Sequence, residues 1–230
     1  MHGMCGGSVR RHKAVVHSGF HRYFIRLSPS TMNLGYNIQK CIKRIFDIFV
    51  SLTIIIVLSP LWLVLALWIC LSSPGGVFFA QTRTGYHGKD FKCLKFRSMY
   101  VNGEADSRQA VDNDPRITPI GRFMRRSSID EFPQLINVLR GDMSLVGPRP
   151  HMLKHTEIYS ALIPHYMERH NMRPGLTGYA QIKGFRGETP HLSQMRDRVK
   201  ADLVYIHNFS LWLDIKILAV TAWKVVKLKL

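Results

Sequence analysis

Acidic side chains are scarce in this 230-residue chain: 15 Asp and Glu stand against 32 Lys and Arg, a formal charge of +17. That balance points to an anionic partner, whether nucleic acid, acidic lipid headgroups or a phosphorylated substrate, without choosing among them. Cysteine is sparse too. Cys5, Cys41, Cys70 and Cys93 form no C-x-x-C pair, which argues against a disulfide framework or a cysteine zinc site and fits a reducing compartment. The eleven His contain no H-E-x-x-H pattern, so they yield no metal site. Internal repeats, low-complexity tracts and recognised nucleic-acid-binding motifs are missing as well. The length and the 46% hydrophobic content suit one domain with a real core rather than two.

Charge is also absent from Ile48 to Leu71, IFVSLTIIIVLSPLWLVLALWICL, a run that would extend about 36 Å as a helix and so could cross a bilayer. It is too long and starts too late for a cleaved signal peptide. Two features favour a return to the side of entry. Ser59-Pro60 lies at the centre, where proline removes a backbone hydrogen bond and a bend is expected. Basic residues flank both ends, from Arg10 to Arg44 before and from Arg83 to Arg97 after, and positive charge marks the cytoplasmic side. An ordinary spanning helix with a tolerated proline is the competing reading.

Residues 1–39 read as a basic flexible arm, with Met32 an alternative start; 40–72 read as the re-entrant membrane helix and 73–230 as a cytoplasmic-face domain. A small β-hairpin is expected around Gly85 and Gly88, then helices over Gly121 to Leu139 and His151 to Asn171. Two rigid loops, Gly147-Pro148-Arg149-Pro150 and Arg173 to Gly178, are suited to presenting side chains. In the last helix, Leu211 to Leu230, a stripe of Leu211, Ile215, Leu218, Ala222 and Val226 fits either an interfacial membrane helix or core packing.

The stretch Arg122 to Pro133 carries the most suggestive chemistry. Arg122, Arg125 and Arg126 would share a helix face fit for phosphate. Asp130 could attack phosphorus or hold a divalent cation. The competing reading is structural: Ser128-x-x-Glu131 matches a capping box, so Asp130 and Glu131 could simply start a helix. Arg149 between prolines is a candidate phosphate ligand or a turn residue, and Asp202 a candidate second metal ligand or a solvated helix position.

Taken in order, Lys43-Arg44-Ile-Phe-Asp47, the Ser59-Pro60 run, Phe78-Phe79-x-Gln81-x-Arg83-x-Gly85, Lys95-Phe96-Arg97-Ser-Met99, Asp130-Glu131-x-Pro133-Gln134, Gly141-Asp142-Met143-Ser144-x-Val146-Gly147-Pro148-Arg149-Pro150 and Arg173-Pro174-Gly175-x-Thr177-Gly178 resemble the bacterial sugar transferases. These are monotopic polyprenyl-phosphate phosphoglycosyl transferases, and this chain is most similar to the catalytic region of the glucose phosphotransferases among them. The resemblance runs from about Lys40 to the C-terminus. It implies an α+β, mainly α, monotopic fold with a re-entrant helix broken at Ser59-Pro60, a β-hairpin and interfacial amphipathic helices. It further implies Asp130 as nucleophile, Glu131 as its partner, and Mg2+ on Asp130 and Asp202. Arg125, Arg149, Lys95 and Arg97 would bind substrate.

The implied substrates are a UDP-sugar, a UDP-hexose by preference, and undecaprenyl phosphate, at the bacterial inner membrane with the site facing the cytoplasm. Sugar 1-phosphate would pass through an aspartyl intermediate to begin capsule, exopolysaccharide or O-antigen assembly. Anionic lipid is an expected partner, nucleic acid is not, and the choice between monomer and homodimer is open. Tyr179 replaces the usual Trp and Lys183 the usual Asn, departures expected to bear on the choice of sugar. A membrane-tethered nucleic-acid-binding protein remains the alternative from another class.

Overall fold

A computed structural model describes residues 29–103, 111 and 114–227. Most of the expected N-terminal arm, with Cys5, lies outside the described residues, but its last part is helical. Helix α1 runs Pro29–Ser72. Pro60 does not interrupt it. A proline at position 60 leaves the carbonyl of Ile56 without its usual donor, and Ser59 Oγ donates to that oxygen at 2.8 Å instead. The expected break is therefore absent from the secondary structure, because the serine beside the proline repairs the gap.

Strands β1 (Phe78–Thr84) and β2 (Asp90–Phe96) form the expected antiparallel hairpin, from Phe78 opposite Phe96 to Thr84 opposite Asp90. The turn between them places His87 and Gly88 at positive φ. Helix α2 (Pro119–Ser127) starts at Thr118, whose side chain accepts from the Gly121 amide at 3.0 Å. The single helix expected over Gly121 to Leu139 is in fact divided. Ser128 adopts a left-handed conformation (φ 60°) and ends α2, a 3-10 turn spans Ile129–Glu131, and α3 covers Gln134–Arg140. The second expected helix is divided likewise, into α4 (Leu153–Leu162) and a 3-10 turn, Tyr166–Asn171.

Buried Asn137 ties α3 to the hairpin. It accepts from the Leu94 amide at 2.9 Å and donates to the Lys92 carbonyl at 2.8 Å, so its amide acts as one more strand residue on the edge of β2. Strands β3 (Ser144–Val146) and β4 (Gly175–Thr177) pair in parallel. Gly147, just past β3, and Gly175, which opens β4, lie backbone on backbone, and a Cβ at either glycine would strike the other segment's main chain. The rest is helical: α5 (Tyr179–Ile182), α6 (Leu192–His207) and α7 (Leu211–Lys227).

A buried polar network fastens α1 to this body. Lys43 Nζ lies 2.5 Å from Asp214 of α7, which also accepts from Tyr205 Oη at 2.7 Å. Asp47 accepts from Ser144 Oγ at 2.7 Å and from the Leu145 amide at 3.2 Å. Arg44 donates to the carbonyls of Val138 and Leu139, at 2.5 and 2.9 Å, where a positive charge suits a helix C-terminus. Further along, Leu65 and Ile69 pack with Phe96, Ile120 and Met124, while the opposite face of α1 leaves Ile56, Val57, Leu63, Val64 and Leu67 exposed.

Of the two readings of α7, core packing does not describe its stripe of Leu211, Ile215, Leu218 and Ala222, because a different face is buried. Asp214 and Ile217 are buried and Thr221 Oγ1 lies 2.7 Å from Thr177 Oγ1, while Ile215 is exposed. The Tyr205 and Thr177 contacts set that rotation, and polar anchors of this kind do not register in an apolar periodicity. Trp212 and Trp223 project outward.

Candidate functional site

The 3-10 turn after α2 buries two adjacent carboxylates, Asp130 and Glu131, each 6% exposed. The capping-box reading of this stretch does not hold. Ser128 makes no capping hydrogen bond, its left-handed backbone is not that of a helix-starting residue, and its hydroxyl accepts from Arg186 at 2.8 Å. The two carboxylates stand in the first turn of a 3-10 segment that has no side-chain cap.

Their surroundings separate their roles. Glu131 lies 2.6 Å from Arg149 Nη2, 2.9 Å from Lys95 Nζ and 3.6 Å from Arg186 Nη2. Burial alone would raise its pKa, but the charges of Arg149 and Lys95 with the Arg149 hydrogen bond outweigh it and hold Glu131 well below the usual carboxylate range. Asp130 is less engaged, with Lys95 Nζ at 3.8 Å. Burial raises its pKa above the ordinary value; Lys95, Arg125 and Arg149 oppose that shift, and Glu131 adds to it. Glu131 is thus a fixed anion that positions Lys95 and Arg149, whereas Asp130 keeps oxygen lone pairs for a ligand.

Arg149 is held from behind. The carbonyl of Arg149 itself accepts from Arg169 Nη2 at 2.7 Å, and that of Pro150 from Arg83 Nη1 at 2.7 Å. Arg169 is secured in turn by Asp202 at 2.6 Å, the pair almost wholly buried. Asp202, expected as a second metal ligand, here accepts from Arg169 through Oδ2 and borders neither of the cavities described below. Arg97 is likewise committed. Its guanidinium donates to the carbonyls of Ser73 at 2.8 Å, Ile69 at 3.3 Å and Pro74, closing the C-terminal end of α1, although the residue borders the site.

Two adjoining cavities meet at Arg83, Arg125, Arg149 and Met152. The first, about 350 Å³, is bordered by Asp130, Lys95, Phe78, Phe79, Phe96 and Val101. It lies between the carboxylate and the apolar start of the hairpin that follows α1. The second, about 610 Å³, is lined by seven arginines, Arg83, Arg122, Arg125, Arg126, Arg149, Arg186 and Arg198, against two carboxylates, Asp114 and Glu188. Guanidinium groups converging on a concavity suit a compact polyanion such as a diphosphate. A duplex would instead call for a basic ridge or stripe.

The α2 arginines were legible as a group. Arg186 and Arg198 were not, because they stand on separate segments that only the fold brings to the cavity. Arg198 donates to the carbonyl of Phe185 at 2.9 Å and to that of Gly187, pinning the segment that carries Arg186. Tyr179 and Lys183 border neither cavity; the Lys183 ammonium stands 5.5 Å from the centre of the Tyr179 ring.

Among the described residues no three His, Cys, Asp or Glu side chains group as metal ligands. Asp130 is the one carboxylate among the described residues that borders the first cavity, which fits a hard divalent cation that takes most of its oxygens from a bound phosphate and water.

The Bacterial sugar transferase family pattern matches residues 38–228. The UDP-glucose:undecaprenyl-phosphate glucose-1-phosphate transferase of Escherichia coli (strain K12) is 50% identical over 188 residues, 81% of this chain and 40% of that protein. The protein of the same name from Xanthomonas campestris pv. campestris is 50% identical over 185 residues, 80% of this chain and 38% of its own length. The Exopolysaccharide production protein PSS of Rhizobium leguminosarum bv. phaseoli is also 50% identical over 185 residues, but 91% of it is covered, and 77% of this chain. This chain therefore spans about two fifths of the first two relatives and nearly all of the third.

Proposed function

Because the chain belongs to the bacterial sugar transferase family, we propose that it moves a sugar 1-phosphate from a UDP-sugar to undecaprenyl phosphate at the cytoplasmic face of the bacterial inner membrane. The observation that carries this reading is Asp130: a buried carboxylate held by no hydrogen bond among the described residues, its nearest cation Lys95 Nζ at 3.8 Å, set where an arginine-lined cavity meets one with an apolar rim.

The donor diphosphate binds along Arg125 and Arg149, with the nucleotide sugar in the arginine cavity. A carboxylate oxygen of Asp130 attacks the β-phosphorus as the bond to the α-phosphate breaks, and UMP leaves. An oxygen of the lipid phosphate, entering past Phe78 and Phe79, then attacks the same phosphorus, releasing the Asp130 carboxylate and forming a polyprenyl diphosphate sugar. Lys95 and Arg149, fixed by Glu131, face the charge that develops on the phosphoryl oxygens. A Mg2+ ion held by Asp130 together with substrate oxygens would supply further neutralisation of the diphosphate. The relatives' names favour UDP-glucose as the donor.

The test of function supplies purified protein with UDP-glucose, Mg2+ and undecaprenyl phosphate. UMP and a lipid-linked diphosphate sugar are expected together. UMP without the lipid product, or neither, counts against the reaction.

Asp130 must be ionised to attack. With its pKa raised by burial, activity present at neutral pH is lost as pH falls through that raised value, so the acid limb lies above the ordinary aspartate value of about 3.9. Lys95 favours the ionised form, so Lys95→Met is expected to move the limb to higher pH. UMP release without lipid is the right readout, because the acceptor phosphate titrates in its own right. A limb that stays in place in Lys95→Met would detach it from Asp130.

The same reading makes α1 re-entrant. Arg44 and Asp47 at the start of the apolar run of α1, and Leu65 and Ile69 near its end, touch one folded body. A helix delivering its ends to opposite faces would pull that body into hydrocarbon. The outward Trp212 and Trp223 of α7, with Lys224 nearby, suit the headgroup layer. Single-cysteine proteins carrying Cys41 or Pro74→Cys should both resist an impermeant maleimide applied from the periplasm and react once the membrane is opened. Labelling of one site alone in intact cells would mean that α1 crosses.

A further inference from the structure

His151 borders the arginine cavity and is 4% exposed. Its Nδ1 lies 2.6 Å from Tyr166 Oη, whereas Nε2, on the opposite edge of the ring, is buried and finds no partner among the described residues. A buried polar nitrogen left unmatched costs stability, and the residue that carries this one lines a cavity. His170 also has unmatched ring nitrogens, but it borders no cavity described here.

We propose that His151 is a specificity residue whose Nε2 hydrogen-bonds a hydroxyl group of the bound nucleotide sugar. The inference rests on the arginine cavity being the donor site, as argued above. The surrounding arginines already supply charge for phosphate, so a neutral ring among them suits an uncharged group. Burial, with Arg169 and Arg198 nearby, holds the His151 pKa well below its usual value and keeps the ring neutral. A hydroxyl is favoured over a base carbonyl or imide because Tyr166 Oη can either donate to Nδ1 or accept from it. Nε2 is a donor in the first case and an acceptor in the second, and only a hydroxyl pairs with both. Two parts of the ligand carry hydroxyls, the transferred hexose and the ribose.

Two isosteric changes separate the ring's two edges. His151→Asn keeps an amide near Nδ1 for Tyr166 and removes Nε2; His151→Gln places its amide near Nε2 and gives up the Tyr166 contact. Affinity for UDP-glucose and for UMP would be measured by calorimetry on full-length protein in detergent or nanodiscs, in an Asp130→Asn background that binds the donor without reacting, with the thermal midpoint of each variant. His151→Asn is expected to weaken UDP-glucose binding roughly tenfold at an unchanged midpoint, and His151→Gln to restore most of it. Unchanged UMP affinity in His151→Asn assigns the hexose hydroxyl, and an equal loss assigns the ribose. Undiminished UDP-glucose binding in His151→Asn overturns the proposal, as does a loss shared by both variants in step with their midpoints, which would make the ring a packing element. The paired change Arg122→Gln with Arg126→Gln checks the premise separately: donor binding indifferent to it would move the donor out of this cavity, whatever the histidine does.

Discussion

Asp130→Asn is expected to lower turnover by on the order of 10⁴-fold or more, while the protein folds and inserts as before. An amide has no anionic oxygen with which to form the phosphosugar ester. The fold should not suffer. No hydrogen bond holds Asp130 as one holds Glu131; the nearest cation is Lys95 Nζ at 3.8 Å. Burial disfavours the ionised carboxylate, and its pKa is raised in the folded state. At neutral pH that ionised group weakens folding, and a neutral isostere removes the penalty, so the thermal midpoint should hold or rise. The same protein distinguishes the chemistry from mere binding. With UDP-glucose and Mg2+ but no lipid, the parent should release UMP in a burst equal to the enzyme present and carry labelled sugar phosphate on Asp130, and Asp130→Asn should do neither. A folded Asp130→Asn that turns over substantially, or bursts like the parent, would leave the reaction without its nucleophile.

Arg149→Lys is expected to lower kcat/KM by about 10²-fold although the charge is unchanged. Arg149 reaches Glu131 with both terminal nitrogens, at 2.6 and 3.4 Å, and its planar fork aims the remaining donors. Arg169 and Arg83 hold the backbone on either side, so the arginine starts from a fixed place. A lysine from the same Cα offers a point charge that can neutralise Glu131 but cannot hold the carboxylate and a phosphate in one plane. Because Lys95 and Arg186 still face Glu131, the variant should fold, and the loss should appear in steady-state kinetics at an unchanged midpoint. Full activity would demote Arg149 to a turn residue.

The hairpin, the apolar helix and the arginine face of α2 were legible because each is a local pattern: alternating apolar residues around a glycine turn, an uncharged run, and basic residues at helical spacing. The pairing of Asp130 with Glu131 was legible as a motif but ambiguous as structure. A capping box and a buried acidic pair can be written in the same letters; only the left-handed backbone at Ser128 separates them. Asp202 is ambiguous for a related reason. Sequence distinguishes poorly between a carboxylate that faces a ligand and one that faces an arginine, and here Arg169, 33 positions away, claims it.

By itself the sequence determined the family, the membrane-seeking segment and the residues able to do phosphoryl chemistry, since these depend on which side chains are present and on spacing along one element. Tertiary structure alone decided which of them meet. It set the buried face of α7 through Thr177 and set Arg97 against the end of α1 and Asp202 against Arg169. It also brought Arg83, Arg186 and Arg198 from three distant segments to one cavity beside Arg149. Those outcomes depend on hydrogen-bond partners and charges separated by tens of residues, and the cost of burying a polar group without one falls due only when the chain closes on itself.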